Sequence, residues 1–197
     1  MKKFAFDLDG TITKVETLPI LARELGLSAQ MKFLTDLTLE GKISFEKSFR
    51  MRYEILKKIP LKKISEIMSA VELDEEIFKF IRENKSQCVV VTGNLDCWIN
   101  PIAEKLGCEI FSSTSEIVNG VPILTEILRK DFVIQHLKKS CDKVIAIGES
   151  FNDVPMFNAA DISIAYGGVH KPVEAAVFVA DYVVNDSATL CQLLKSL

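Results

Sequence analysis

Residues 4 to 13 read Phe-Ala-Phe-Asp-Leu-Asp-Gly-Thr-Ile-Thr, and no other stretch constrains the chain as much. An apolar run ends in two carboxylates, Asp7 and Asp9, spaced two apart and followed at once by Gly10. Alternate residues of a strand point to one side, so both acids face one spot while Leu8 turns away. Gly10 and Thr11 then break the strand into a turn. Open α/β sheets take ligands just outside the carboxyl ends of their strands. Two like charges there are costly unless a cation or a shared proton relieves them.

The rest of the chain supplies such a sheet. From Glu16 to about Val71 apolar residues recur at three and four, as in Leu18-Leu21-Leu25 and Phe45-Phe49-Tyr53-Leu56. Gly26, Gly41 and Pro60 punctuate that helical block. After it, strands are expected at residues 87–92, 109–112, 143–147, 162–165 and 182–184, with helices between them and a hairpin turning at Asn119-Gly120. Repeated strand–helix units make a parallel sheet covered on both faces, an α/β Rossmann-like fold. Residues 1–14 and 73–197 are expected to form this core, and residues 15–72 an inserted helical cap.

Size and charge exclude several functions. A length of 197 residues suits one domain with a moderate insertion, and 48% hydrophobic residues are ample for a core. A net charge of -3, with both signs interspersed, advertises no nucleic-acid surface. Apolar runs such as residues 88–91 are too short to span a membrane, and Asp7 and Asp9 interrupt what would be a signal-peptide core. A cytoplasmic location is the expectation. Five cysteines without a Cys-x-x-Cys pair read as free thiols in a reducing compartment rather than a zinc site. Two histidines, His136 and His170, leave little material for histidine-based proton transfer.

Four polar clusters carry the chemistry. They are Asp7-Leu8-Asp9-Gly10-Thr11, then Thr92-Gly93-Asn94 after an expected strand, then Lys130, then Gly148-Glu149-Ser150-Phe151-Asn152-Asp153 after another. Parallel strands bring the first, second and fourth to one sheet edge. Their carboxylates suit a hard cation such as Mg²⁺, and their ammonium and backbone N–H groups suit a phosphate.

In this order the clusters resemble the four motifs of the haloacid-dehalogenase superfamily of aspartate-nucleophile phosphatases. The resemblance implies that Asp7 attacks phosphorus and that Asp9 protonates the leaving oxygen and later activates water. It further implies that Thr92, Gly93, Lys130 and Asn152 hold phosphate, and that Asp7, the Asp9 carbonyl, Glu149 and Asp153 hold Mg²⁺. Glu149 departs from the pattern, in which an aspartate is usual. The helical block is similar to the cap of the phosphoserine phosphatases, and by that match Glu16 would meet a substrate ammonium and Arg50 its carboxylate. Arg50, with Arg52 and Lys47, also reads as part of a basic helix that simply faces water. Asn94-Leu95-Asp96 departs from that branch, which usually carries a second glycine and a phenylalanine there.

The implied activity is Mg²⁺-dependent hydrolysis of a small phosphorylated metabolite, O-phosphoserine foremost. Transfer of the phosphoryl group to an alcohol such as homoserine, and a phosphate-binding protein weakened by Glu149, stand as alternatives. Oligomeric state is not legible.

Overall fold

The computed structural model describes residues 2–197. The chain opens with β1 (Lys2–Phe6) and then runs through α1 (Thr17–Leu21), α2 (Ser28–Leu39), α3 (Phe45–Leu56) and α4 (Leu61–Ser69). It returns to the sheet through α5 (Glu75–Glu83), β2 (Cys88–Leu95), α6 (Asp96–Leu106), β3 (Glu109–Val118) and β4 (Val121–Glu126). The last third comprises α7 (Lys130–Leu137), β5 (Lys143–Gly148), α8 (Val154–Ala159), β6 (Ile162–Tyr166), α9 (Glu174–Val179), β7 (Tyr182–Val184) and α10 (Ser187–Ser196).

The seven strands form one sheet in the order β4-β3-β2-β1-β5-β6-β7, with only the β3–β4 pair antiparallel. The central β1 pairs with β2 and β5, and all three are almost wholly buried runs of apolar residues, as expected where helices cover both faces. The α/β reading of the sequence holds.

Two boundaries differ from expectation. First, β3 is ten residues long rather than four, because it continues into the hairpin with β4. Asn119 and Gly120 turn that hairpin with φ of 51° and 79°, the left-handed pair that matches strand twist. Second, β2 does not stop at Thr92 but runs through Thr92-Gly93-Asn94 to Leu95. Its register against β3 shifts between Val91 and Leu95, so the cluster sits on a strand irregularity rather than in a turn.

The helical block packs onto the sheet without a break in the core. One apolar cluster joins Phe4, Phe6 and Trp98 to Phe49, Tyr53 and Leu56 of α3. Tyr53 anchors α3 to the hairpin: its hydroxyl donates to the Pro122 carbonyl at 2.8 Å and accepts from the Leu124 N–H at 3.1 Å. Among the described residues no helix is long and apolar enough to cross a membrane. All five cysteines are free, with Cys88 and Cys191 buried and the others half-buried.

Candidate active site

The ends of β1, β2 and β5 meet as the sequence requires. The Asp7 N–H continues the ladder to the Ile147 carbonyl at 2.8 Å, which fixes the first acid at the strand end. Gly10 follows with φ of 75°, a conformation that a side chain would strain. At the end of β5 the chain needs Gly148, because a Cβ there would run into the Asp153 carboxylate.

Four ionisable groups are buried together. Lys130 Nζ donates to Asp7 Oδ1 at 2.5 Å and to Asp153 Oδ1 at 2.6 Å. The other Asp153 oxygen accepts from the Glu149 N–H, the Ser150 N–H and the Ser150 hydroxyl at 2.9–3.0 Å. Glu149 Oε2 accepts from the Thr11 hydroxyl at 2.7 Å. Asp7, Glu149 and Asp153 each present one oxygen within 4.8 Å of the others.

This cluster carries more negative than positive charge. Burial, and then the neighbouring acids, raise the Asp7 carboxyl to about 7 despite Lys130. The same causes hold Glu149 well above the usual carboxylate range. Burial alone would lower the Lys130 ammonium, but Asp153 and Asp7 outweigh it and push it upward. Three buried carboxylates against one ammonium suit one further hard cation. The longer Glu149 side chain still delivers its carboxylate to that group.

Asp9 is held separately. Its Oδ1 accepts from the Thr17 N–H at 3.0 Å and the Thr17 hydroxyl at 2.5 Å, and its Oδ2 from Asn94 Nδ2 at 3.2 Å. Asp9 therefore joins β1, α1 and β2, rather than the carboxylate cluster.

A cavity of about 50 Å³ lies over these groups, with Asp7, Asp9, Thr92, Gly93, Glu149 and Asn152 in its wall. Phe45 of α3 closes over Gly93, where any side chain would collide with its ring. Glu16 and Arg52 complete the polar wall from the helical side. Burial first, then Asp9 and Asp7, raise the Glu16 carboxyl to about 8. Burial lowers the Arg52 guanidinium to about 10 while Glu16 and Asp9 oppose it. Glu16 Oε1 is buried with no hydrogen-bond partner among the described residues, and His170 Nε2 lies 3.7 Å from it.

Arg50 is not in this wall. It sits on the outer side of α3, more than half exposed, and pairs with Glu46 one turn earlier at 3.0 Å. The residue in the cavity is Arg52, whose Nη1 donates to the Thr35 hydroxyl at 3.2 Å and whose Nε donates to the Ser48 carbonyl at 3.4 Å. A sequence signal for it existed. Arg52 lies three residues after Phe49 and four before Leu56, inside the buried stripe of α3, whereas Arg50 lies outside it. His170 had no such signal, because a loop after β6 carries it to Gly10 and Glu16. His136 instead packs edge-on against Phe111, away from the cavity.

The comparisons with known proteins agree with this geometry. Residues 4–158 match the family model of the haloacid dehalogenase-like hydrolases. The chain is 30% identical over 179 residues to a phosphoserine phosphatase of Methanocaldococcus jannaschii, covering 84% of this chain and 85% of that protein. It is 27% identical over 212 residues to one of Campylobacter jejuni subsp. doylei, covering 100% and 96% respectively. Among solved structures it is similar to a phospho-aspartyl intermediate analogue of phosphoserine phosphatase, with a TM-score of 0.83 at 27% identity and full coverage of both chains. A substrate-bound phosphoserine phosphatase complex superposes with the same TM-score and identity, over 100% of this chain and 99% of the other.

Proposed function

We propose that this chain, which belongs to the haloacid dehalogenase-like hydrolase family, is a Mg²⁺-dependent phosphomonoester hydrolase that acts on O-phosphoserine. The observation that carries the substrate assignment is a half-buried carboxyl, Glu16, and a buried guanidinium, Arg52, on one cavity wall. Glu16 and Arg52 share a small cavity with Asp7, and Glu16 Oε1 has no hydrogen bond of its own. A buried polar atom without a partner is expensive, and an acid facing a guanidinium across one cavity points to a ligand that brings both signs. An amino-acid head group does: its ammonium suits Glu16, and its carboxylate suits the planar guanidinium of Arg52.

The chemistry follows from the sheet edge. Asp7 is the nucleophile: its oxygen bonds to phosphorus as the bond to the serine oxygen breaks, leaving an aspartyl-phosphate. Asp9 gives a proton to the departing serine oxygen, then takes one from the water that attacks the aspartyl-phosphate and frees inorganic phosphate. Thr92, the Gly93 N–H, Lys130 and Asn152 hold the phosphate oxygens. Asp7, Glu149, Asp153 and the Asp9 carbonyl would hold Mg²⁺, which when bound supplies charge neutralisation between carboxylate and phosphate. Lys130 holds the Asp7 carboxylate in place. Asp153, with one oxygen on Lys130 and the other on the β5 loop, also orients both. Phe45 over Gly93 and the rest of the helical block keep water from the reacting atoms.

The test is release of inorganic phosphate from a panel of small phosphomonoesters in Mg²⁺, with and without a chelator and with and without added homoserine. O-Phosphoserine is expected to lead the panel by about tenfold or more in kcat/KM, since buried charge complementarity is worth several kcal/mol. Chelation is expected to abolish the release. Phosphate bound but never turned over, or released only when homoserine is present, would overturn the hydrolase reading.

A further inference from the structure

We infer that Asn94 is a positioning residue for Asp9, acting through the hydroxyl of Thr17. The inference rests on the proton-transfer role proposed for Asp9. Asn94 lies on the irregular end of β2 and is 3% exposed. Its orientation is fixed from one side, since its Oδ1 accepts the Leu95 N–H at 2.8 Å. The amide nitrogen must therefore face the other way. There Nδ2 donates to the Thr17 hydroxyl at 2.8 Å and to Asp9 Oδ2 at 3.2 Å, one hydrogen for each.

The consequence lies in the hydroxyl. Thr17 has one proton to give, and by accepting from Asn94 it is left to direct that proton at Asp9 Oδ1, which also receives the Thr17 N–H. Both Asp9 oxygens are thus held by a closed ring of contacts that joins β1, α1 and β2. Without Asn94 the hydroxyl can rotate away, and Asp9 Oδ2 loses a donor. A misplacement of about 1 Å in such a group can cost about a hundredfold in rate.

This role predicts a loss that depends on the leaving group. The serine alkoxide departs only with a proton, which Asp9 supplies as the P–O bond breaks. Acetate departs from acetyl phosphate as a stable anion and needs none. Since kcat/KM reports steps up to release of the first product, later water attack does not enter the comparison. The experiment measures kcat/KM on O-phosphoserine and on acetyl phosphate, in Mg²⁺, for wild type, Asn94→Gly, Asn94→Asp and Thr17→Val.

The ratio of the two values is expected to fall about tenfold or more in all three variants, a part of the 10²–10⁴ that a positioned proton donor contributes. Asn94→Asp is the sharpest arm. It is nearly isosteric, but an ionised carboxylate has no hydrogen to donate and a protonated one has a single hydrogen, so it cannot satisfy both Thr17 and Asp9. It should do as badly as Asn94→Gly, whereas a packing role would spare it. If Asn94→Gly fails to fold, the other two variants carry the result. Equal losses on both substrates, or an unchanged ratio in Asn94→Asp, would overturn the inference. A wild type inactive on both substrates would instead sink the hydrolase reading beneath it.

Discussion

At the sheet edge Asp153 accepts four hydrogen bonds, Lys130 bridges two carboxylates, and Glu149 takes the Thr11 hydroxyl. From the helical block, Glu16 enters the same cavity with a buried oxygen that has no hydrogen bond, and Arg52 enters with two contacts at 3.2 and 3.4 Å. Both regions bury ionisable groups, but only the first ties most of them into hydrogen bonds with one another. Under the proposed function the contrast separates two tasks. Groups that must hold one geometry through a reaction are tied to the sheet and to one another. Groups that must recognise a ligand keep their capacity open, at a cost in stability that binding offsets.

The largest effect that would break this comparison belongs to the sheet edge. Asp7→Asn is expected to lower kcat by at least about four orders of magnitude, as loss of a nucleophile does elsewhere. The variant should still unfold cooperatively, because Lys130 keeps Asp153 as a partner. Steady-state rates alongside thermal unfolding check both halves. Residual activity within tenfold of wild type would remove Asp7 from the nucleophile role.

A smaller effect sharpens the other side. Folding raises the Glu16 carboxyl from its ordinary value of 4.5 to about 8, through burial first and then Asp9 and Asp7. Between those pH values the folded metal-free protein holds a proton that the unfolded chain has lost, so stability falls as pH rises across the window. Asp7, raised to about 7, acts in the same direction. Glu16→Gln removes the Glu16 share. Its Tm should match wild type near pH 4.5, exceed it at pH 8 and vary less between them, which differential scanning calorimetry on metal-free protein can follow. A variant less stable than wild type at pH 8 would show that Glu16 is paired in the folded state.

The same division governed how much could be read from the sequence. Strand geometry leaves little freedom: two acids two apart at the end of an apolar run must share a side, and parallel strands must share an edge. Asp7, Thr92, Lys130, Glu149 and Asp153 were therefore legible together. The helical block was legible as helices, yet residues two apart on a helix face nearly opposite ways. The motif match points to Arg50, whereas the helix turns Arg52 to the cavity and Arg50 to solvent. The buried stripe of Phe49, Tyr53 and Leu56 is what turns Arg52, rather than Arg50, towards the cavity. His170 and the Asn94–Thr17–Asp9 ring could not be read, because loop paths and three-way contacts between distant segments leave no local periodicity.

The two arginines provide the most direct test of the account's central claim, that charges from the helical block read an amino-acid head group above a prearranged phosphate site. The measurement is kcat/KM on O-phosphoserine and on acetyl phosphate for Arg52→Ala and Arg50→Ala. Arg52→Ala should lose about a hundredfold or more on O-phosphoserine, the scale for truncating a buried charge contact, and at least about tenfold less on acetyl phosphate. Arg50→Ala, which breaks only an exposed pair with Glu46, should stay within about threefold of wild type on both. Equal losses on both substrates for Arg52→Ala, or an Arg50→Ala that matches it on O-phosphoserine, would contradict the account.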